Sequence, residues 1–356
     1  MTFLADLQEL VECQSPSEDL AACSKVVELA VQIAARNLPN AARITQAGGR
    51  PVFWWGSQTP EVVLLCHLDT VWPTDSFLPL WRVEGDQIFG PGIFDMKAGF
   101  LQAMYATKNI PNAFEKIALI GTTDEEVGSH SSRELIERLA QSAKATLVFE
   151  SSIDDTVKIG RKGTSMYRIT IHGRAAHAGL EPEKGINATT EISRIALALG
   201  ALENSEYGTT VVPTLMHSGS TTNTVPATAS LDVDARSFLS AELDRIDVAI
   251  KALQPLHPEA KIEITGGINR PPLEHAATAE LYELIEGVAK KLGLPPVGHV
   301  SVGGASDGNL AAAVGGKVLD GLGASGYGAH AAHEHIFVSR IETRISLIAG
   351  LIKELI

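Results

Sequence analysis

Glu61-Val62-Val63-Leu64-Leu65-Cys66-His67-Leu68-Asp69-Thr70, residues 61–70, is the stretch that decides the fold. Val62–Cys66 is an unbroken apolar run, the pattern of a strand buried on both faces of a parallel sheet. Ile117–Gly121 and Thr146–Phe149 repeat it. Helical patterns lie around these runs. Leu20–Asn37 follows the capping candidates Ser17, Glu18 and Asp19, and Gly99–Lys108 and Ser132–Gln141 obey the same logic. Strands alternating with helices predict an α/β domain, a doubly wound sheet with helices on both faces.

The rhythm changes near residue 162. Met166–His172 alternates as a half-exposed antiparallel strand does. A helix over 187–202, strands over 210–217 and 227–235, a helix over 241–253 and a strand over 261–265 complete a β-α-β-β-α-β order, which is ferredoxin-like. After Pro271 the α/β pattern resumes with a helix, glycine-rich strands and a C-terminal helix. The expectation is a discontinuous domain of residues 1–161 and 270–356 with an α+β domain, 162–269, inserted into it.

Composition bounds the function. The 356 residues are 45% hydrophobic and 20% charged, a globular balance. With 29 Lys+Arg against 42 Asp+Glu, the net charge of −13 argues against nucleic-acid binding, which needs a basic surface. Ile195–Leu202, the longest apolar run, is too short to span a membrane. The N-terminal MTFLADLQEL, with Asp6 and Glu9 and no basic segment, does not read as a signal peptide. Cys13, Cys23 and Cys66, odd in number and without CxxC spacing, read as reduced, buried thiols of a cytoplasmic protein.

Chemistry-bearing residues gather where the buried strands end. His67 and Asp69, two apart in extended chain, face the same way, so the carboxylate can orient a metal-binding imidazole or simply cap the strand end. Asp95, in Gly90–Gly99, stands just before a helix, as an N-cap or as a carboxylate bridging two metals. Asp124, Glu125 and Glu126 follow directly on a strand and would repel one another unless a cation or proton intervenes. One of the glutamates can bind metal while its neighbour faces a water. Glu150 ends another buried strand, and His330, His333 and His335 offer several imidazoles. Such imidazoles and carboxylates suit Zn²⁺, and also Mn²⁺ or Co²⁺, and two ions sharing a carboxylate would activate water for hydrolysis.

The ordered segments CHLDTVWP, GPGIFDMKAG, TTDEEVGSHSSRELIE, VFES, RKGTSMYRITIHGRAAHAGLEPEKGINA, NTVPATASLDVDAR, SVGGASDG and GAHAAHEHI resemble the M20 metallopeptidase family, in particular its carboxypeptidase G2 (glutamate carboxypeptidase) branch. The resemblance implies a zinc-exopeptidase-like sheet with an inserted lid and dimerisation domain, and two divalent ions. It implies that His67, Asp95 and Glu150 hold one ion and that Asp95, Glu126 and His330 hold the other. Asp69 would orient His67, and Glu125 would be the general base and acid. A cis peptide would join Asp95 to Met96. His333 and His335 would be non-ligands, because Glu334-His335-Ile336 matches the family's Glu-Tyr-Ile. His177 of the lid would act across a homodimer, stabilising an oxyanion with help from Asn223, and Arg270 would bind a substrate carboxylate or, alternatively, form a hinge salt bridge. Phe94 and His130 depart from the family pattern in size. The expected reaction is amide hydrolysis of a small peptide or N-acyl amino acid releasing a C-terminal amino acid, with glutamate first. The alternatives are an N-acyl-amino-acid deacylase and a dipeptidase with the same machinery.

Overall fold

The computed structural model describes residues 2–356. The strand predicted over Val62–Cys66 extends to His67 and runs parallel between Ile117–Thr122 and Ala145–Val148. The full sheet follows the order Arg43–Ala47, Arg50–Gly56, Ile117–Thr122, Val62–His67, Ala145–Val148, Val318–Leu319. Its strands alternate faces as the period of two requires. Val62, Leu64 and Cys66 pack into one core with Leu7, Leu10, Val27, Phe100 and Leu351, whereas Val63 and Leu65 pack into another with Ile136, Leu139 and Leu310. Helices therefore cover both faces, as the sequence predicts.

The sheet is mixed rather than wholly parallel. Arg43–Ala47 and Arg50–Gly56 form a hairpin, and the second of them pairs antiparallel with Ile117–Thr122. The hairpin turns on Gly48 and Gly49, both at positive φ, a conformation glycine adopts without the Cβ clash. A second, four-stranded antiparallel sheet runs in the order Gly326–Tyr327, His335–Phe337, Gln87–Phe89, Arg82–Glu84. Its pairing of His335 with Phe89 ties the histidine-rich segment to the chain leading into Asp95. Neither feature stands out in the sequence pattern.

The chain divides into two compact units. One is the chain through Gly160 with Leu273–Val302 and Ser306–Ile356; the other is Arg161–Pro272 with Gly303–Ala305. In the second unit, strands Gly163–His172, Thr210–Ser218, Thr228–Ser237 and Lys261–Arg270 and helices Ala188–Leu199 and Ser240–Lys251 follow in the β-α-β-β-α-β order. The sheet order, with Gly163–His172 and Thr228–Ser237 central and every pair antiparallel, is the ferredoxin-like one. Ile169, Ile171, Leu231 and Val233 pack beneath the two helices with Ile192 and Ile246. All three cysteines are free; Cys23 and Cys66 are buried, but Cys13 is only half-buried, which corrects the expectation of three buried thiols. Among the described residues no helix is long and apolar enough to cross a membrane.

Candidate metal centre

Strand register gathers the first group of side chains. His67 is paired with Thr122, so the chain leaving that neighbour carries Glu125 and Glu126 past the same sheet end. On the other side Leu65 pairs with Val148 and accepts from the Phe149 amide at 3.0 Å, which carries Glu150 up beside His67. His67 Nε2 lies 3.7 Å from Glu150 Oε1. Its Nδ1 lies 3.0 Å from the Asp69 carbonyl oxygen and 3.4 Å from Asp69 Oδ1, which puts the ring proton on Nδ1 and leaves Nε2 as the electron-pair donor. Asp69 is fully buried. It accepts from Ser17 Oγ at 2.7 Å and from the amides of Glu125 and Glu126, so one carboxylate fixes both the imidazole and the acidic turn. Asp124 has a different job: its Oδ2 accepts from the Ser131 and Ser132 amides and shapes the turn.

Asp95 sits on the turn Ile93–Lys97 at the start of helix Ala98–Thr107, and its peptide bond to Met96 is cis. Gly99 lets that helix touch the neighbouring strand end, since a Cβ there would lie 2.2 Å from the Phe149 carbonyl oxygen. The turn is held from outside by a residue to which the sequence reading gave no role. Glu334, fully buried, accepts from the amides of Phe94 (2.9 Å) and Asp95 (3.1 Å) at Oε1, and from the Gly92 amide (2.9 Å) and Trp72 Nε1 (2.8 Å) at Oε2. Its only sequence signal was membership of the Glu334-His335-Ile336 segment.

The two oxygens of Asp95 face different imidazoles. Oδ1 is 3.3 Å from His67 Nε2, and Oδ2 is 3.5 Å from His330 Nε2. His330 Nε2 is also 3.1 Å from Glu126 Oε2. The donor atoms of His67, Asp95 and Glu126 lie within 4.8 Å of one another, and so do those of His67, Glu125 and Glu150. The nearest pairings nevertheless divide the site into a His67–Glu150 side and a His330–Glu126 side, with Asp95 between. His335 is engaged elsewhere: its Nδ1 lies 2.8 Å from the His333 carbonyl oxygen and its Nε2 3.2 Å from Gln87 Nε2, so both of its ring nitrogens have partners away from Asp95.

The electrostatics express crowded negative charge. Burial opposes a charged His67, yet hydrogen bonding to Asp69 and Asp95 holds its pKa well above the ordinary imidazole value. Asp95 and Glu126 push His330 up to about 10. Asp95 is held far below the usual carboxylate range, since His330 and His67 outweigh burial, whereas burial pushes Glu126 up. Lys158 Nζ, 3.9 Å from Glu150 Oε2, brings a cation to the edge of the site. An imidazole nitrogen and a carboxylate oxygen on each side of one shared carboxylate fit a pair of divalent ions that accept mixed N and O donors.

In the second unit, His177 pairs with Thr224 on a short two-stranded ribbon, and the Ala178 amide donates to the Asn223 carbonyl at 2.9 Å, so His177 and Asn223 are neighbours there. His177 Nδ1 accepts from the Gly179 amide at 3.1 Å, which leaves the ring proton on Nε2. Arg270 is buried at the end of Lys261–Arg270, opposite Thr164. Of the two departures from the family pattern, Phe94 is buried core and His130 is exposed.

Comparison with known proteins agrees with this architecture. The chain is 31% identical over 309 residues to carboxypeptidase G2 of Pseudomonas sp. (strain RS-16), covering 83% of this chain and 74% of that one. It is 24% identical over 347 residues to a succinyl-diaminopimelate desuccinylase of Aliarcobacter butzleri (strain RM4018), covering 88% and 90%. The solved aminopeptidase PepT of Bacillus cereus ATCC 10987 superposes with a TM-score of 0.77 at 22% identity over 99% of this chain and 98% of that one, a likeness of fold. Residues 63–354 match the family model for peptidase family M20/M25/M40, and the chain belongs to that family.

Proposed function

We propose that this M20 hydrolase is a glutamate-type carboxypeptidase that uses two divalent ions to cleave an amide and release a C-terminal amino acid. The observation that carries the reading is Asp95, whose two carboxylate oxygens face His67 and His330 separately. His67, Asp95 and Glu150 would hold one ion; Asp95, Glu126 and His330 would hold the other. Zn²⁺ suits this donor set first, with Mn²⁺ or Co²⁺ as alternatives. Bound there, the pair of ions supplies Lewis acidity to a carbonyl oxygen and acidifies a water.

The chain's own residues do the rest. Asp69 keeps the proton on His67 Nδ1. Glu125 takes a proton from the attacking water and passes it to the leaving nitrogen, so a C–O bond forms, the C–N bond breaks, and an acid and an amine result. His177, its Nε2 protonated, and Asn223 donate to the oxygen of the attacked carbonyl. Arg270 pairs with the carboxylate of the leaving amino acid. The carboxypeptidase reading is supported by the 31% identity to carboxypeptidase G2; the desuccinylase relative favours, as second reading, an N-acyl-amino-acid deacylase.

A homodimer through the second unit is supported by its edge strand Thr210–Ser218, which pairs on one side only and exposes Val212, Leu215 and Met216. The free cysteines support a cytoplasmic setting. The test is metal reconstitution. Protein loaded with Zn²⁺, Mn²⁺ or Co²⁺ should release glutamate from N-benzoyl-glutamate and spare the corresponding C-terminal amide. Equal hydrolysis of acid and amide would refute the carboxypeptidase reading.

A further inference from the structure

The acidic turn that carries Glu125 and Glu126 is gripped at both ends by a distant part of the first unit. Asp307, at the start of helix Asp307–Ala313, is buried. Its Oδ1 accepts from Ser129 Oγ, and its Oδ2 lies 3.4 Å from Thr122 Oγ1, a hydroxyl that also reaches the Cys66 carbonyl at 3.3 Å. Thr122 ends the strand that leads into the turn, and Ser129 follows the turn. One side chain therefore touches both ends of the segment that holds the two glutamates. The grip carries inward through the backbone. The Ser129 amide donates to the Asp124 carbonyl at 2.7 Å, and the Gly128 amide to the Glu125 carbonyl at 3.0 Å. Displacing Ser129 thus displaces Glu125.

Two observations set this contact apart from ordinary packing. Ser129 has a φ of 54°, in the left-handed region that disfavours residues with a Cβ. Such a conformation persists where the surroundings impose it, and the bond to Asp307 is one of the forces that do so. The anchor itself is also fixed. Ser306 Oγ accepts from the Gly308 amide at 3.1 Å and donates to Asp320 Oδ2 at 2.7 Å, while the Ser306 amide donates to Asn309 Oδ1 at 2.9 Å. Leu310 and Ala311 are buried in the core that holds Ile136 and Leu139. A buried polar network seated on such a core specifies one arrangement. Asp69 grips the middle of the same turn, through the Glu125 and Glu126 amides.

We propose that Asp307 is a positioning residue for the reaction: through Ser129 and Thr122 it fixes the acidic turn, so that Glu125 meets the attacking water and Glu126 its ion without rearrangement. The kinetic consequence rests on the hydrolase reading of Glu125; the grip on the turn does not.

The experiment uses Asp307→Ala and, separately, Ser129→Gly. The second removes the hydroxyl but lets glycine take the positive φ without a Cβ clash, so its Tm should stay within a few degrees of wild type. In metal-free protein, hydrogen exchange should show protection over residues 124–131 falling about tenfold or more in both variants, with strand Val62–His67 unchanged. In metal-loaded protein, kcat on N-benzoyl-glutamate should fall about 10–100-fold while KM moves less than about twofold, the split expected when a reacting group is misplaced and substrate binding is not. Should Asp307→Ala fail to fold, Ser129→Gly carries both readouts. Unchanged protection over 124–131, or wild-type kcat, would overturn the proposal. Protection lost equally over Val62–His67 would make Asp307 a general element of the fold and overturn it as well. If wild-type protein loaded with metal leaves the substrate intact, the hydrolase reading falls with the kinetic consequence, and the exchange result still upholds or overturns the grip on the turn.

Discussion

Glu334 offers the sharpest perturbation. Its two oxygens accept four hydrogen bonds, three of them from the backbone that carries Asp95. In Glu334→Gln the new NH₂ must face two N–H donors whichever way the amide turns, because each oxygen position already serves two. A hydrogen bond to a charged group contributes about 1.5–3 kcal/mol, so losing two costs roughly 3–6 kcal/mol before the turn relaxes. Burial pushes the Glu334 carboxyl up to about 7, which lessens the charge lost near neutrality and favours the lower end of that range. Relaxation would swing Asp95 away from its place between His67 and His330. Outer partners of metal ligands typically affect metal affinity by about 10–100-fold. Competition titration with a chromophoric chelator, alongside thermal unfolding of the metal-free protein, separates the two effects. The expected result is a folded variant of lower Tm whose metal affinity falls by at least about tenfold. Two ions bound at wild-type affinity would refute the positioning argument.

Three further outcomes test the assigned roles. Glu125→Gln should keep metal content near wild type while kcat falls by about 10²–10⁴, measured by metal analysis and steady-state kinetics; normal turnover would remove Glu125 as the base. Inactive His177→Ala and inactive Glu125→Gln subunits should regain activity when mixed, since the heterodimer has one intact site if His177 acts in trans; no recovery after demonstrated subunit exchange would rule that out. Arg270→Met should raise KM for substrates ending in a free carboxylate by the roughly 2–5 kcal/mol of a broken buried charge pair and leave the amides little changed; equal losses on both would make Arg270 a hinge residue.

Much of this was legible in the chain itself. Val62–Cys66 declares a buried strand because five adjacent apolar side chains leave no wet face, and its parallel neighbours declare themselves the same way. His67, Asp69, Glu125, Glu126 and Glu150 stand out because charge directly after a buried strand is unusual without a purpose. Other features were hidden. The strand Arg82–Glu84 is too short and too polar to show a period, and the His335–Phe89 pairing is set by contacts far apart in sequence. Glu334 looked like one more polar residue in a histidine-rich loop, because a clamp on backbone amides leaves no spacing signature. Of the three capping candidates Ser17, Glu18 and Asp19, Asp19 caps helix Leu20–Asn37, while Ser17 Oγ turns to Asp69.

The most direct test of the central claim is a crystal structure of the metal-loaded protein with anomalous scattering from the bound ions. Two peaks about 3.5–4 Å apart should flank Asp95, the separation of two-metal hydrolytic sites. Oδ1 should share its ion with His67 and Glu150, and Oδ2 with His330 and Glu126. A single ion, or a pair that Asp95 does not bridge, would contradict the account.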